Sequence, residues 1–180
     1  PTTNPNIQKW NGYRMPWQFY HSFDPKDKRL EVICSEYVGT DGVTYNETNP
    51  GEYLDKGALP IKYGEDPTQT SESSEVDVVV YRYADALLMM AEIENGLGNP
   101  CAGYINEVRE RAYGSNYEAN KYTEGNYAEN ELTILQERDK EFVWEGKRWF
   151  DVVRMHDANG KSLAFSATAN YPSDKPLLDP

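Results

Sequence analysis

Histidine and cysteine are scarce: His21, His156, Cys34 and Cys101 are the whole complement in 180 residues. Two histidines are too few for a histidine-rich metal site, and no Glu-x-x-His motif accompanies the carboxylates, which excludes a di-iron bundle. The cysteines match neither a zinc spacing nor a CxxC redox motif. They could form one disulfide, but packing as two small hydrophobic residues is the favoured reading. No phosphate-binding glycine loop, nucleophile elbow or Rossmann fingerprint occurs. Asp157-Ala158-Asn159-Gly160 resembles a calcium loop only faintly, because the twelfth position is Thr168 and not Glu. No cofactor is expected. Long apolar runs are missing too, and none reaches the roughly 20 residues that span a bilayer. Positive charge is short: 18 Lys and Arg face 30 Asp and Glu, a net charge of −12. That balance disfavours nucleic acid and anionic membrane surfaces, which are bound through clustered Lys and Arg. The chain starts at Pro1 with no signal peptide, transit segment or lipid-bearing cysteine ahead of it, and reads as a processed product or a piece of a longer chain.

Aromatic residues are plentiful by contrast. Fourteen Tyr, five Phe and four Trp make 13% of the chain. Tyr combines a flat apolar face with a hydroxyl, which suits sugars or peptides, although ordinary half-buried packing accounts for most of the fourteen. Residues 1–29 show no regular period and read as loop, with a short helix near Pro16–Ser22. Leu30–Val38 alternates and reads as a half-buried strand, with Leu30, Val32, Cys34 and Val38 on one side. Asp41-Gly42 supplies a turn into a returning strand, Val43–Glu47. Residues 49–75, with the polar run TQTSESSE, read as a long surface loop.

From Tyr83 the period changes. Ala84, Leu87, Leu88 and Ala91 form a helical stripe, widened by Tyr83 and Met90, in a helix ending at Gly96 or Gly98. A second helix over about Ala102–Ala112 buries Ile105, Val108 and Ala112. The short NGLGNP connection makes the two an antiparallel pair. Residues 113–129 read as loop. A third helix is expected from Asn130 or Thr133 to about Arg154, with Leu135, Phe142 and Trp149 seven apart. Gly146 inside it marks a break or a close helix contact. This gives a loop-and-hairpin segment over 1–76, packed helices over 77–156 and a C-terminal loop over 157–180. One helix pair and a lone helix are fewer than the roughly three repeat units that bury one another's faces, so the helices are expected to lean on others outside this chain.

The most distinctive feature is a charged ladder, ERDKEFVWEGKRWFDVVR, in which Arg138, Glu141, Glu145, Arg148, Asp151 and Arg154 follow at spacings of three or four. Glu141 and Glu145 invite a glycosidase reading, since paired carboxylates drive glycoside hydrolysis. The structural alternative is an ion-pair network, and it is favoured: neighbouring arginines keep carboxylates ionised, whereas a general acid needs a raised pKa. Arg82, Asp85 and Glu92 on the first helix, with Arg109 and Arg111 on the second, are expected as cross-helix partners. Arg148 in particular is expected to hold Glu145 and Asp151. Ligand-binding candidates are the loop aromatics Trp10, Tyr13, Trp17 and Tyr20, and the hairpin's Tyr37 and Tyr45. Loops bearing aromatics beside amides can stack on pyranose rings. For any single ring, anchoring the loop is the favoured role. As a group they are expected to form an exposed platform opposite the helices.

Four segments together resemble the SusD/RagB family of outer-membrane nutrient-binding lipoproteins of Bacteroidetes. They are NGYRMPWQFYHSFDPKDKRLE, YRYADALLMMAEIENGLGN, INEVRERAYG and ERDKEFVWEGKRWFDVVR, in family order over about residues 11–155. The resemblance implies a mainly α, tetratricopeptide-like helical scaffold with long loops and a small β-hairpin. It also implies non-catalytic capture of glycans, or sometimes peptides, at the cell surface for delivery to a SusC-like TonB-dependent transporter. Family members are several times longer, so the chain is similar to a C-terminal part. The N-terminal half of the same protein, with its repeat helices and lipid-anchoring cysteine, is then a further partner, and the Asn-Pro ending of the family is missing after Leu178. A helical protein–protein interaction module is the alternative from another class, and an acid/base hydrolase using Glu141 and Glu145 is the remote one.

Overall fold

The computed structural model describes residues 13–51, 54–63, 66, 68 and 76–163. The chain divides into two compact units, Pro1–Val78 and Val79–Pro180.

In the first unit, Pro16 sets the entry into the short helix α1, Trp17–Tyr20. Further on, the buried Asp27 carboxylate accepts the Arg29 backbone N–H and is gripped by the Arg29 guanidinium at 2.7 Å. That cap draws Lys28–Val32 into a 3-10 turn, so the alternating stretch 30–38 is not one strand. A side chain that satisfies the backbone locally competes with ladder pairing. Only β1, Ile33–Cys34, and β2, Tyr37–Val38, are extended, and they pair with different partners. β2 forms the expected hairpin with β3, Thr44–Tyr45, around the Asp41-Gly42 turn, but it is shorter than the pattern implied. β1 pairs antiparallel with β4, Leu59–Pro60, placing Ile33 opposite Pro60. Val38 is therefore 58% exposed, while Ile33, read as outward, is buried.

The segment read as a surface loop, 49–75, thus supplies part of the core. Leu54 and Ala58 are fully buried with Met15, Phe23 and Ile33. Met15 and Ala58 bridge by exchanging backbone hydrogen bonds at 2.9 Å. Gly57 makes this approach feasible: its φ is +140°, and a Cβ there would sit 1.9 Å from the Met15 carbonyl oxygen.

In the second unit, α2, Tyr83–Gly96, and α3, Ala102–Tyr113, form a helical hairpin. The expected residues Ala84, Leu87, Leu88, Ala91, Ile105 and Val108 fill the core with Ile134 and Leu135. Tyr83 and Met90 do not widen the stripe; both are exposed. Residues 113–129 are less irregular than the composition implied. They hold a 3-10 turn, Gly114–Asn116, and the short helix α4, Tyr117–Asn120. Asn106 also exchanges two hydrogen bonds with the Tyr122 backbone, and Glu124 accepts the N–H groups of Cys101 and Ala102 at the start of α3. Burial and then the adjacent Glu124 carboxylate push the Cys101 thiol up to about 12, leaving it protonated; both cysteines are free.

The expected single third helix is two. α5, Tyr127–Glu141, begins at an Asn126–Glu129 capping box, and α6 covers Arg148–Arg154. Between them Trp144 and Gly146 have φ of +61° and +72°, a conformation that ends a right-handed helix. The seven-residue stripe therefore stops at the break: Phe142 is buried, but Trp149 is 68% exposed. Lys147 pairs with Asp85 and Arg154 with Glu92. Each partner lies seven residues further along its own helix, so α6 runs parallel to α2.

The charged ladder knits these helices together. Arg138, with 3% of its side chain exposed, pairs with Asp85 on α2 and Asp151 on α6, both at 2.9 Å. Arg82 takes Glu141 and Glu145, Arg111 also takes Glu141, and Arg109 takes Glu137. The Phe142 ring stacks against two guanidinium groups, those of Arg82 at 4.7 Å and Arg138 at 4.9 Å. Arg148 pairs with Asp139; its expected partners Glu145 and Asp151 are held by Arg82 and Arg138 instead.

Candidate ligand-binding site

The described aromatic candidates fall into two linked groups in the first unit. α1 presents Trp17 and Tyr20 edge to face, 5.5 Å apart, and stacks His21 against Trp17. One helical turn separates Trp17 from His21, which puts both rings on one side. The hairpin places Tyr37 directly opposite Tyr45, and their rings lie 5.4 Å apart, as cross-strand aromatic pairs do. Two contacts tie the groups: the Tyr20 hydroxyl donates to Ser35 Oγ at 3.0 Å, and His21 Nε2 lies 2.8 Å from Glu47. Asn46 donates to Glu36 nearby. The result is a ring cluster edged by a hydroxyl, an amide and carboxylates.

Most of these rings are anchored. Trp17 donates its indole N–H to the Leu54 carbonyl. Tyr45 donates its hydroxyl to Asp41, which holds that carboxyl below its ordinary value, and its ring packs so closely on Gly51 that a Cβ there would meet it at 2.7 Å. Trp17, Tyr20 and Tyr45 have their polar ends engaged by Leu54, Ser35 and Asp41, and these three rings and Tyr37 are all half-buried. Tyr13 differs: it is 80% exposed. Trp10 lies outside the described residues. His21, Ser35 and Glu47 escaped the sequence reading, because their roles depend on contacts 15 and 26 residues apart. Only the four-residue spacing of Trp17 and His21 signalled any of it.

The paired carboxylates are arranged for charge pairing. Glu141 and Glu145 have side-chain exposures of 2% and 3% and share the Arg82 guanidinium. Burial pulls that guanidinium down, but its hydrogen bonds to Glu145 and the charge of Glu141 outweigh burial and leave it above its ordinary value. Carboxylates so enclosed serve charge pairing between the helices. Among the described residues no group of acidic, histidine and cysteine side chains is placed to hold a metal ion. Asp157 instead closes a turn, its Oδ1 accepting the Asn159 and Lys161 N–H groups.

The SusD family profile matches residues 6–175. SusD-like protein P2 of Formosa agariphila is 30% identical over 155 aligned positions, covering 78% of this chain and 30% of its own length. A crystal structure of a SusD superfamily protein from Bacteroides fragilis superposes with a TM-score of 0.68 and 32% identity, over 89% of this chain and 33% of that one. NanU of B. fragilis, also 32% identical, gives 0.52 over 74% of this chain and 30% of its own. The chain thus spans about a third of the length of the relatives it matches. Its helical core, its hairpin and nearly its whole length are accounted for by one family, and the chain belongs to the SusD family.

Proposed function

We propose that the protein captures glycan oligomers at the outer-membrane surface and passes them, uncleaved, to a SusC-like TonB-dependent transporter. The parent protein is held at the membrane by a lipid on an N-terminal cysteine that lies outside these residues. The observation that carries this reading is the aromatic cluster of the first unit, edged by Ser35, Asn46 and Glu47, within a SusD-family chain. Trp10, Tyr13, Trp17, Tyr20, Tyr37 and Tyr45 are its candidate contacts. Ring faces stack on the C–H faces of pyranoses while the polar edge takes sugar hydroxyls. Each stacked ring contributes about 0.5–1.5 kcal/mol, so two rings supply most of the roughly 4 kcal/mol that millimolar capture needs, the polar edge supplies the rest, and such binding is weak enough for hand-over.

The test is a glycan array with the full-length protein, followed by calorimetry on the best glycan. Tyr13→Ala, chosen because an exposed ring can be removed without disturbing the fold, should weaken binding by about tenfold. Trp10→Ala with Trp17→Ala should weaken it further. Undiminished binding by folded variants would move the site out of these residues. Release of reducing sugar by the wild type would overturn the binding-only reading.

A further inference from the structure

His21 joins two parts of the ring cluster that are each held in place. Its imidazole lies 29° from parallel with the Trp17 ring at 6.2 Å and meets the Tyr20 ring edge to face at 5.4 Å. Trp17 is fixed in turn by the Leu54 carbonyl, so the imidazole has a set direction. On the other side, Glu47 stands on a tight turn two residues past β3. The backbones of Asn46 and Asn49 exchange hydrogen bonds there. Asn46 Oδ1 accepts three more, from the Thr48 and Asn49 N–H groups and the Thr48 hydroxyl. The Asn49 side chain donates to the Thr44 carbonyl at 2.9 Å, which ties the turn to the strand that carries Tyr45. His21 Nε2 and Glu47 Oε2, 2.8 Å apart, bridge these two bodies.

We infer that His21 is a positioning residue of the ring surface: protonated, it clasps the hairpin to α1 through Glu47, and neutral, it lets the hairpin loosen. Imidazole is the side chain that ordinarily changes charge between about pH 5 and 8. Neutral imidazole still donates one N–H to a carboxylate, and protonation adds the attraction of opposite charges. The hairpin and its flanks carry Glu36, Asp41 and Glu47, and Asp55 and Lys56 follow Leu54. Of these, Glu47 pairs with His21, while Glu36 accepts the Asn46 amide and Asp41 the Tyr45 hydroxyl. The two paired side chains are 57% and 42% exposed, and pairs so open to water shift an equilibrium by up to about fivefold. What the clasp positions rests on the glycan reading above; the clasp itself does not.

Amide exchange of the full-length protein without glycan, at about pH 5.5 and about pH 8, tests it. Each rate is divided by the intrinsic rate at the same pH. The amides of residues 37–45 should be about threefold better protected at the lower pH. In His21→Gln and in Glu47→Gln, which replace exposed side chains and leave the core alone, the two values should agree. Equal protection in the wild type, or a pH effect that survives His21→Gln, would overturn the clasp. Asp139 titrates in the same window but belongs to the second unit, and it is present in wild type and variants alike. Glycan affinity is read separately. If the ring variants place the glycan here, wild-type affinity should be about threefold higher at the lower pH and that of His21→Gln unchanged. A flat wild-type profile would then overturn the positioning role. If the ring variants bind normally, the glycan reading fails and exchange still decides the clasp.

Discussion

Arg138 and Arg148 stand ten residues apart in one charged run, yet burial gives them different weights. Arg138 is nearly inaccessible and serves two buried carboxylates, Asp85 and Asp151. Removing one member of such a set strands the others without solvent, which costs about 3–5 kcal/mol. Arg138→Ala should therefore lose about that much stability in urea unfolding; an unchanged midpoint would show that the network is not structural. Arg148, with 41% of its side chain exposed, shares its charge with water. Arg148→Ala should cost about 1 kcal/mol or less. Its partner Asp139 makes a second prediction. Burial pushes this carboxyl from 3.8 up to about 6 against the opposing charge of Arg148. Between those values the folded state holds a proton that the unfolded state has released, so stability falls as pH rises through the window. Glu131, raised chiefly by burial, acts in the same direction. Melting temperatures from pH 4 to 6.5 should decline less steeply in Asp139→Asn than in the wild type, and equal slopes would remove Asp139 from the account.

The interruption between α5 and α6 shows how an element boundary can carry the packing. A continuous helix would carry Asp151 and Arg154 round to nearly the opposite face from Arg138. The turn through Trp144 and Gly146 instead lays α6 along α2 and points Glu145 at Arg82. Gly146 at φ +72° has open space around it, so only backbone strain penalises a side chain there. Gly146→Ala should cost about 1 kcal/mol with no gain in helix content by circular dichroism. Were the break merely a weak point in a longer helix, alanine would lengthen the helix and stabilise the protein.

Across the whole molecule, a net charge of −12 is set against arginines that are largely committed to internal partners. The surplus of carboxylates is on the surface and repels itself. At 0.1 M, salt largely screens repulsion between exposed charges more than about 10 Å apart and scarcely reaches buried pairs. The melting temperature should accordingly rise by a few degrees between about 20 and about 300 mM NaCl. A fall would mean that exposed pairs such as Arg154–Glu92 outweigh the net repulsion. The same acidity disfavours nucleic acid and anionic lipid as partners.

The helical hairpin was legible because its cause is local. A 3.6-residue period places Ala84, Leu87, Leu88 and Ala91 on one face whatever surrounds them. The arginines of the first two helices were legible as cross-helix partners for a similar reason: charge inside an apolar stripe needs an opposite charge. Spacing could not choose the partners. Glu137, Asp139 and Lys147 carry three of the pairs, and none follows from a ladder read along one unbroken helix. The strands failed where the helices succeeded. Their alternation was real over Leu30–Val38, but the Asp27 cap and the distant Leu59–Pro60 pairing overruled it. In the same way the composition singled out the loop aromatics only as candidates, and the fold decided which rings are anchors and which ring is free to meet solvent. Tyr13 and Tyr45 look alike in sequence; one stands in water, and the other is held by Asp41 and Gly51. Periodicity is a property of consecutive residues. Ion-pair choice, strand pairing and ring exposure depend on residues brought together from far along the chain, and only tertiary packing settles them.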